Sequence, residues 1–451
     1  MSEKRVLVVG TTPDYIAHIE ACYPGRALFV VDRSRSRATP SPDPEARSIV
    51  HTSLAQAATV LADLEIHQKR WKQRLVGVVG YDCEQLPLAA VMAGHFGLPH
   101  PSLDSVRLCR NKLLSKMKWS QHGVRCPQAA LATDRKQVLQ FMRRVAGPVV
   151  LKPAHGAGSE LTFRCDSLSE IARNLDLIRD GLEARRTNPL FSPDTVDSAP
   201  GSADPAVVLE EYIDGREYSC DFMMDDTSLT ILRLAKKIRR ADLPFGTTVG
   251  YLVPARLPSW LSISALESRL RAAAETLGLK RTLGMVDFIV RRNEVVLLEL
   301  TPRVGGDCLP MVLRHSCGMD TIGLALDFAE GKTLTVPNRE NWRTMVGLRL
   351  FADRPGVLTG TNTSLAEADH RTREIMIKWE LGHRITLPPQ DYDSWLMGHL
   401  VFEPAENQSH EQQCADLGGR ISFDVELHGD QKFSQLRGAN GRAVQSAPSA
   451  A

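Results

Sequence analysis

Apolar and polar positions follow one rhythm near the N-terminus and another further on. Arg5 to Gly10 (RVLVVG) is a short apolar run ending in glycine, and Ala27 to Asp32 (ALFVVD) is a second, with a helix predicted between them over Pro13 to Cys22. A third run, Leu75 to Gly80 (LVGVVG), leads into the helical pattern LPLAAVMAGHFG, closed by Gly97 and Pro99. Strand, helix and strand at this spacing predict a parallel sheet, and so a small doubly wound α/β domain over residues 1–105.

Beyond that point the runs lengthen and the turns become richer in glycine. SVRLCRNKLLSKMKWSQHG, from Ser105 to a stop at Gly123, reads as one helix. GPVVLKPAHGAGSELTF is a strand with a glycine-rich turn, and a helix follows near Leu168 to Leu182. Asn188 to Ala206, dense in Pro, Ser, Asp and Gly, is expected to be a mobile loop that interrupts a domain instead of separating two. Strands resume at VVLEEYI, YSCDFMM and SLTILRL, a helix covers Ala265 to Leu277, and MVDFIVRRNEVVLLEL is a hairpin, so residues 106–335 read as one region. Short strands after Trp342 (MVGLRLFA, EIMIKWE, GHLVFEP) predict a small α+β module over 336–430. The tail, 431–451, has few large apolar residues; burial there cannot offset the entropy of ordering, and disorder is expected.

Composition narrows the function classes. A chain of 451 residues can hold about three domains of ordinary size and bury a sizeable core. Fifty-five basic against 53 acidic side chains leave a formal charge of +2, which gives no global attraction for nucleic acid or an anionic membrane. Nine scattered cysteines form no CxxC pair and no zinc spacing, so reduced thiols are expected. MSEKRVLVVG runs straight into a strand and no apolar run approaches the ~18 residues of a membrane span, which predicts a cytoplasmic protein.

Several residues carry candidate chemistry. Asp287 and Glu299 are acids in the two apolar strands of the hairpin. Because side chains alternate along a strand, they face each other only if the connecting loop has an odd number of residues. Two carboxylates so placed would repel unless a cation lay between them, and Mg²⁺ is the natural one; the alternative is a pair of solvated acids. Lys152 ends a strand before Gly156, Gly158 and Ser159, a turn whose N–H groups suit phosphate but also suit an ordinary turn. Val207 to Ser219 (VVLEEYIDGREYS) reads either as a plain hairpin or as a strand edge for adenine with an acid for ribose. Lys112, the run Lys236 to Arg240 and Arg314 are further cations, and His155 is the one histidine inside the glycine turn. After Glu299 the chain releases Thr301, Pro302, Arg303 and the Gly305-Gly306 pair, an ending that suits a ligand better than a core. Only Gly10 of a GxGxxG pattern is present, so Asp32 as a dinucleotide ribose ligand is a weak alternative.

Taken in order, DSVRLCRNKLLSKMKWSQHGV, VVLKPAHGAGS, VVLEEYIDGREYS, and GMVDFIV followed by LLELTPR resemble the ATP-grasp superfamily, in its amino-acid-ligase type of carboxylate–amine ligase, over roughly residues 1–425. The resemblance implies a pre-ATP-grasp α/β domain, two α+β subdomains clasping ATP, and a C-terminal α+β module. It implies that Lys112 and Lys152 contact phosphates with the Gly156, Gly158 and Ser159 turn, that Glu210, Glu211, Tyr212 and Ile213 meet adenine, and that Glu217 meets ribose. Lys237 would reach the nucleotide and its neighbours in the basic run would stay in solvent. Asp287 and Glu299 would hold Mg²⁺, while Arg303, Gly305, Gly306 and Arg314 would face the substrates. Lys152 and Arg303 would be the catalytic side chains, and the partners a small carboxylic acid and an amine, both amino acids, in a monomer or homodimer. Where the family has ExNPR this chain has Thr301, which puts a second Mg²⁺ in question. Carboxylation through carboxyphosphate, and MgATP binding without turnover, are the other readings.

Overall fold

Both faces of the first strand are apolar because both are covered. In the computed structural model, which describes residues 2–33, 45–132, 135–192 and 206–427, strands β1 (Glu3–Val9), β2 (Ala27–Asp32), β3 (Ile49–Thr52) and β4 (Gln73–Val79) pair in parallel in the order β3-β2-β1-β4. Val6 and Val8 pack with Ile19 of helix α1 (Pro13–Cys22). Leu7 and Val9 face the other way, onto Leu64 of α2 (Ala57–Trp71) and Leu88 of α3 (Leu86–Phe96). β3 and α2 fill an interval that the hydrophobic pattern does not announce. Strand order reverses between β1 and β4, so a crevice opens at their C-terminal ends, beside Thr11 and Tyr81 to Cys83.

The stretch from Ser105 to Gly123 is two helices, not one: α4 (Leu103–Arg110) and α5 (Lys112–Gln121). Asn111 breaks them, with φ −95° and ψ 108°, and its side chain accepts from Leu113 N and Leu114 N at 3.0 Å, the bonds of an N-cap. Lys112 therefore opens a helix instead of lying in the middle of one.

A four-stranded antiparallel sheet follows, in the order β5-β8-β6-β7, from β5 (Ala129–Leu131), β6 (Val149–Pro153), β7 (Phe163–Cys165) and β8 (Val207–Glu211). Leu151, Leu209 and the Ile171 and Ile178 side chains of α7 (Leu168–Ala184) share its core with Val138 and Phe141 of α6 (Arg135–Val145). A Ser167–Glu170 capping box starts α7. Of the loop expected over 188–206, Pro189–Phe191 is a short 3₁₀ turn and 193–205 lie outside the described residues, as does the tail 431–451.

The rest is built on one eight-stranded sheet, ordered β13-β12-β9-β10-β11-β14-β18-β16. Its members are β9 (Arg216–Met224), β10 (Leu229–Ile238), β11 (Gly250–Val253), β12 (Thr282–Arg291), β13 (Glu294–Thr301), β14 (Met345–Phe351), β16 (Thr372–Ile377) and β18 (Leu396–Phe402). The C-terminal strands thus extend the central sheet, because β14 pairs with β11. Only β15 (Gly356–Asn362), β17 (Arg384–Ile385) and β19 (Ser422–Glu426) form a sheet of their own, near α11 (Ser364–Glu367) and α12 (His410–Gly418). On the central sheet Tyr218, Cys220 and Phe222 point to an apolar face sealed by Leu266 and Leu270 of α8 (Ile263–Thr276). The alternating residues Glu217, Ser219 and Asp221 point the other way, toward α9 (Leu309–Cys317), α10 (Thr321–Ala329) and the front sheet.

Candidate functional site

The hairpin settles whether the two acids meet. Its turn is Arg292-Asn293, two residues between the pair Arg291 and Glu294, and an even loop would set Asp287 against Leu298. The expected odd loop is therefore absent; a β-bulge supplies the extra residue. Phe288 pairs with Leu297, the register shifts, and Asp287 then stands directly across from Glu299. The shift skips Leu298, whose carbonyl accepts from Lys116 Nζ at 2.7 Å, while Leu297 N donates to Arg125 O at 2.9 Å. α5 and the segment after it thus cover the open edge of β13.

Lys116, buried with Nζ 2.8 Å from Glu210 Oε1, belongs to a hub that the sequence pattern did not single out. Glu210 Oε2 lies 2.7 Å from Lys152 Nζ. Burial alone would raise the Glu210 carboxyl, but Lys116 and Lys152 overcome it and hold it below its ordinary value. Glu210 was expected at the adenine; its side chain instead sits between the lysines, opposite in direction to Leu209 in the core of the smaller sheet. Lys112 Nζ donates to Gly156 O at 2.5 Å, and its own N–H bonds Ala154 O at 2.9 Å, tying α5 to the glycine-rich turn. Burial, together with Lys152 and Lys116, pushes Lys112 down to about 8 against the pull of Glu299 and Glu210. In the turn, Gly156 has φ +130°, and a Cβ there would come 2.9 Å from Phe191. Gly158 and Ser159 are left-handed at φ +67° and +61°. Burial, with Arg110 and Lys112 nearby, pushes His155 down to about 3, so it is a neutral group.

Glu217, expected at ribose, is taken up by cations. Its Oε1 is 2.7 Å from Lys237 Nζ and its Oε2 bonds Arg239, so Arg239 is not the solvated neighbour that the basic run suggested. Lys237 Nζ also reaches Asp287 Oδ2 at 2.6 Å. Burial would discharge Lys237, but Asp287 and Glu217 raise it well above its usual value. Burial raises Asp287, and Lys237 does not offset burial together with the nearby Glu299 and Glu217 charges. Desolvation would also raise the half-buried Glu299, yet Lys112, Lys152 and Lys237 hold its carboxyl below its ordinary value.

Donor chemistry at this pair fits a hard divalent cation. Asp287 Oδ1 is buried with no hydrogen-bond partner among the described residues, an unmet acceptor facing Glu299. Among those residues no group of three His, Cys, Asp or Glu gathers as a ligand set. An ion held here by two carboxylates would complete its shell with phosphate oxygens and water, as Mg²⁺ does.

The segment after the hairpin carries Arg303 to the front sheet. Arg303 Nε and Nη2 donate to Cys83 Sγ at 3.2 and 3.0 Å, and Nη1 donates to Val304 O at 2.7 Å. Cys83 follows β4 at the crevice where the front strands reverse order. Gly305 N donates to Asp221 Oδ1 at 3.0 Å, and a Cβ at Gly305 would come within 3.1 Å of both Asp221 Oδ1 and Arg233 Nη2. Asp221 and Arg233 form a fully buried ion pair at 2.8 Å, extended by bonds to Ser219. Removing one partner of such a pair costs about 3–5 kcal/mol, so this pair fixes the loop firmly. Gly306 lies near the Tyr15 hydroxyl, and Asp307, at φ +62°, contacts Arg349 at 2.9 Å and His399 at 2.5 Å. Burial would raise the Asp307 carboxyl; Arg349 and His399 hold it well below the usual carboxylate range.

Three expected residues lie apart from this cluster. Arg314 is half-exposed at the end of α9 and pairs with Glu374 at 3.1 Å. Glu211 accepts from Gln128 N, and Tyr212 packs its ring under Arg164, 4.4 Å from the ring centre. The N–H groups of Glu211 and Tyr212 are already bonded to Gln128 O and Pro148 O, which leaves Ile213 as the residue with no such backbone bond among the described residues. Thr301 pairs with Met285 at the end of the hairpin. All nine cysteines are free thiols, and among the described residues no helix is long and apolar enough to cross a membrane.

The glycine-rich turn after Lys152, the Asp287 and Glu299 pair and the loop that bears Arg303 all fall within one stretch that matches a known domain family. Residues 145–311 match the ATP-grasp domain family model and run from the start of β6 to the start of α9. In sequence the chain is 26% identical over 271 residues to uncharacterized protein y4rH of Sinorhizobium fredii, covering 58% of this chain and about half (50%) of that protein's length. In structure it is similar to the L-amino acid ligase of Bacillus licheniformis, with a TM-score of 0.74 at 16% identity over 94% of this chain and 100% of that one. It is also similar to the biotin carboxylase domain of Hydrogenobacter thermophilus 2-oxoglutarate carboxylase, crystallised with MgADP, ADP and bicarbonate. There the TM-score is 0.61 at 17% identity, covering 90% of this chain and 87% of that one. At these identities the structural likeness is a likeness of fold.

Proposed function

We propose that this chain is an ATP-dependent carboxylate–amine ligase that forms an amide through an acyl phosphate and releases ADP and phosphate. The observation that carries the reading is Asp287 facing Glu299, with a buried unmet oxygen, between the lysine hub and the loop that bears Arg303.

The Ile213 backbone receives the adenine, while Lys112, Lys152 and the Gly156 to Ser159 turn receive the phosphates. Asp287 and Glu299 would hold Mg²⁺, which would supply positive charge against the phosphate oxygens. Lys237 keeps Asp287 and Glu217 in place. Arg303 orients the carboxylate, whose oxygen attacks the γ-phosphorus as ADP leaves; the amine then attacks the activated carbonyl carbon and phosphate departs. The turn and α5, joined through Lys112, exclude the water that would hydrolyse the intermediate. Similarity of fold to the L-amino acid ligase of B. licheniformis supports amino acids as substrates.

The test is a screen of amino-acid pairs for released phosphate, with mass spectrometry of the product. Phosphate release that depends on both an acid and an amine, with an amide of the summed mass less water, is the expected result. Release that depends on bicarbonate instead would replace this reading with the carboxylase one, which the bicarbonate-bound neighbour favours.

A further inference from the structure

Far along the chain from the glycine-rich turn, a short segment between β17 and β18 grips it. Arg185, which caps α7, donates from Nη2 to Pro389 O at 3.2 Å and to Gln390 O at 2.6 Å, and from Nη1 to Gly181 O at 3.0 Å. Its Nε lies 3.4 Å from Glu160, the residue that ends the turn, and its guanidinium stands 5.8 Å from the Phe191 ring. Phe191 in turn lies against Gly156, so closely that a Cβ there would meet it at 2.9 Å. Two residues past Gln390, Tyr392 packs its ring against the core of the smaller sheet, in the cluster that holds Leu161. Asp391 Oδ1 accepts from Asp393 N at 2.8 Å and from Ser394 N at 3.3 Å, which keeps the segment folded.

These contacts meet the turn from two sides. Arg185 and Phe191 brace it from below, and Tyr392 closes its far end at Leu161. We propose that Arg185 and Tyr392 are positioning residues for a bound Mg-nucleoside diphosphate: residues 387–394 form a strap that holds the glycine-rich turn down over the phosphates. The inference rests on the nucleotide reading above. A strap of this kind slows release more than it alters capture, because the nucleotide enters before the strap is engaged and leaves only after it breaks.

The experiment follows release of a fluorescent N-methylanthraniloyl ADP from the full chain in Mg²⁺, chased with unlabelled ADP. Arg185→Ala is expected to speed release on the order of tenfold, and Tyr392→Leu, which keeps an apolar side chain and loses the packed ring, by about threefold. Association is expected to stay within about twofold, and melting temperature unchanged, which a general loosening of the fold would not allow. Hydrogen exchange at residues 154–163 is expected to lose its nucleotide-dependent protection in both variants. Unchanged release in both, with normal binding by the unmodified protein, overturns the strap and leaves the nucleotide reading standing. Equal losses in association, release and melting also overturn it. Should Arg185→Ala not fold, Tyr392→Leu decides alone, and failure of the unmodified protein to bind the probe removes both inferences.

Discussion

Two buried charge clusters lie side by side in this molecule, and they are unbalanced in opposite directions. Around Glu210 the lysines are in excess, with Lys116 and Lys152 on its two oxygens and Lys112 beside them. Around Asp287 the acids are in excess, with Glu299 opposite and Glu217 sharing Lys237. Burial acts on both clusters: it pushes Lys112 down, with Lys152 and Lys116 adding to the shift, and Asp287 up, with Glu299 and Glu217 adding to it. Neither cluster is a finished salt bridge. One is short of negative charge and the other short of positive charge, and a polyphosphate with a divalent ion supplies both at once.

The comparison breaks most sharply if a cluster's minority charge is removed. Glu210→Gln leaves the lysines with no carboxylate between them and is expected to destabilise the fold by about 3–5 kcal/mol in urea unfolding. Inorganic phosphate or MgADP is expected to restore part of that loss. In the acid-rich cluster, Asp287→Asn or Glu299→Gln removes part of the surplus; the fold is expected to hold, while phosphate release falls by roughly 10²–10³. Near-normal turnover in either would remove the metal from the account.

A pH series separates folding from binding at Lys112. Its pKa in the fold is about 8 against an ordinary 10.5, so the folded state sheds the proton first and folding stability rises between those values. Phosphate needs the charged amine, so MgADP affinity is expected to fall over the same window, by at most about tenfold per pH unit. Calorimetric titrations at pH 7 and 9 check the sign. The smallest effect belongs outside both clusters: Arg314→Ala breaks an exposed pair with Glu374 and should cost under ~1 kcal/mol, with turnover unchanged.

How far these clusters could be read in advance depended on what each residue stands next to. Asp287 and Glu299 were visible because a charge inside an apolar strand has no local explanation. Their pairing was not, since it depends on a bulge whose freed carbonyl is held by Lys116, on a helix about 180 residues earlier in the chain. Lys116 itself left a faint trace: with Cys109, Lys112 and Trp119 it continues the inward stripe of α4 and α5 at helical spacing. Glu210 was found without its lysine partners, because a strand's alternation gives two faces without saying what each one meets. Asp221 and Arg233, and the Asp307, Arg349 and His399 group, needed the order of the central sheet, which no local pattern encodes. Three of the front domain's four parallel strands, by contrast, came directly from short apolar runs, two of them ending in glycine.

The central claim is that Asp287 and Glu299 bind the nucleotide through a divalent ion. Titrating ADP into the full chain, once with Mg²⁺ and once with a chelator, tests this directly, with Glu299→Gln alongside. The account predicts that Mg²⁺ tightens binding to the unmodified protein at least tenfold and that this gain largely disappears in the variant. Equal affinity with and without Mg²⁺, or a full Mg²⁺ gain retained by Glu299→Gln, would contradict it.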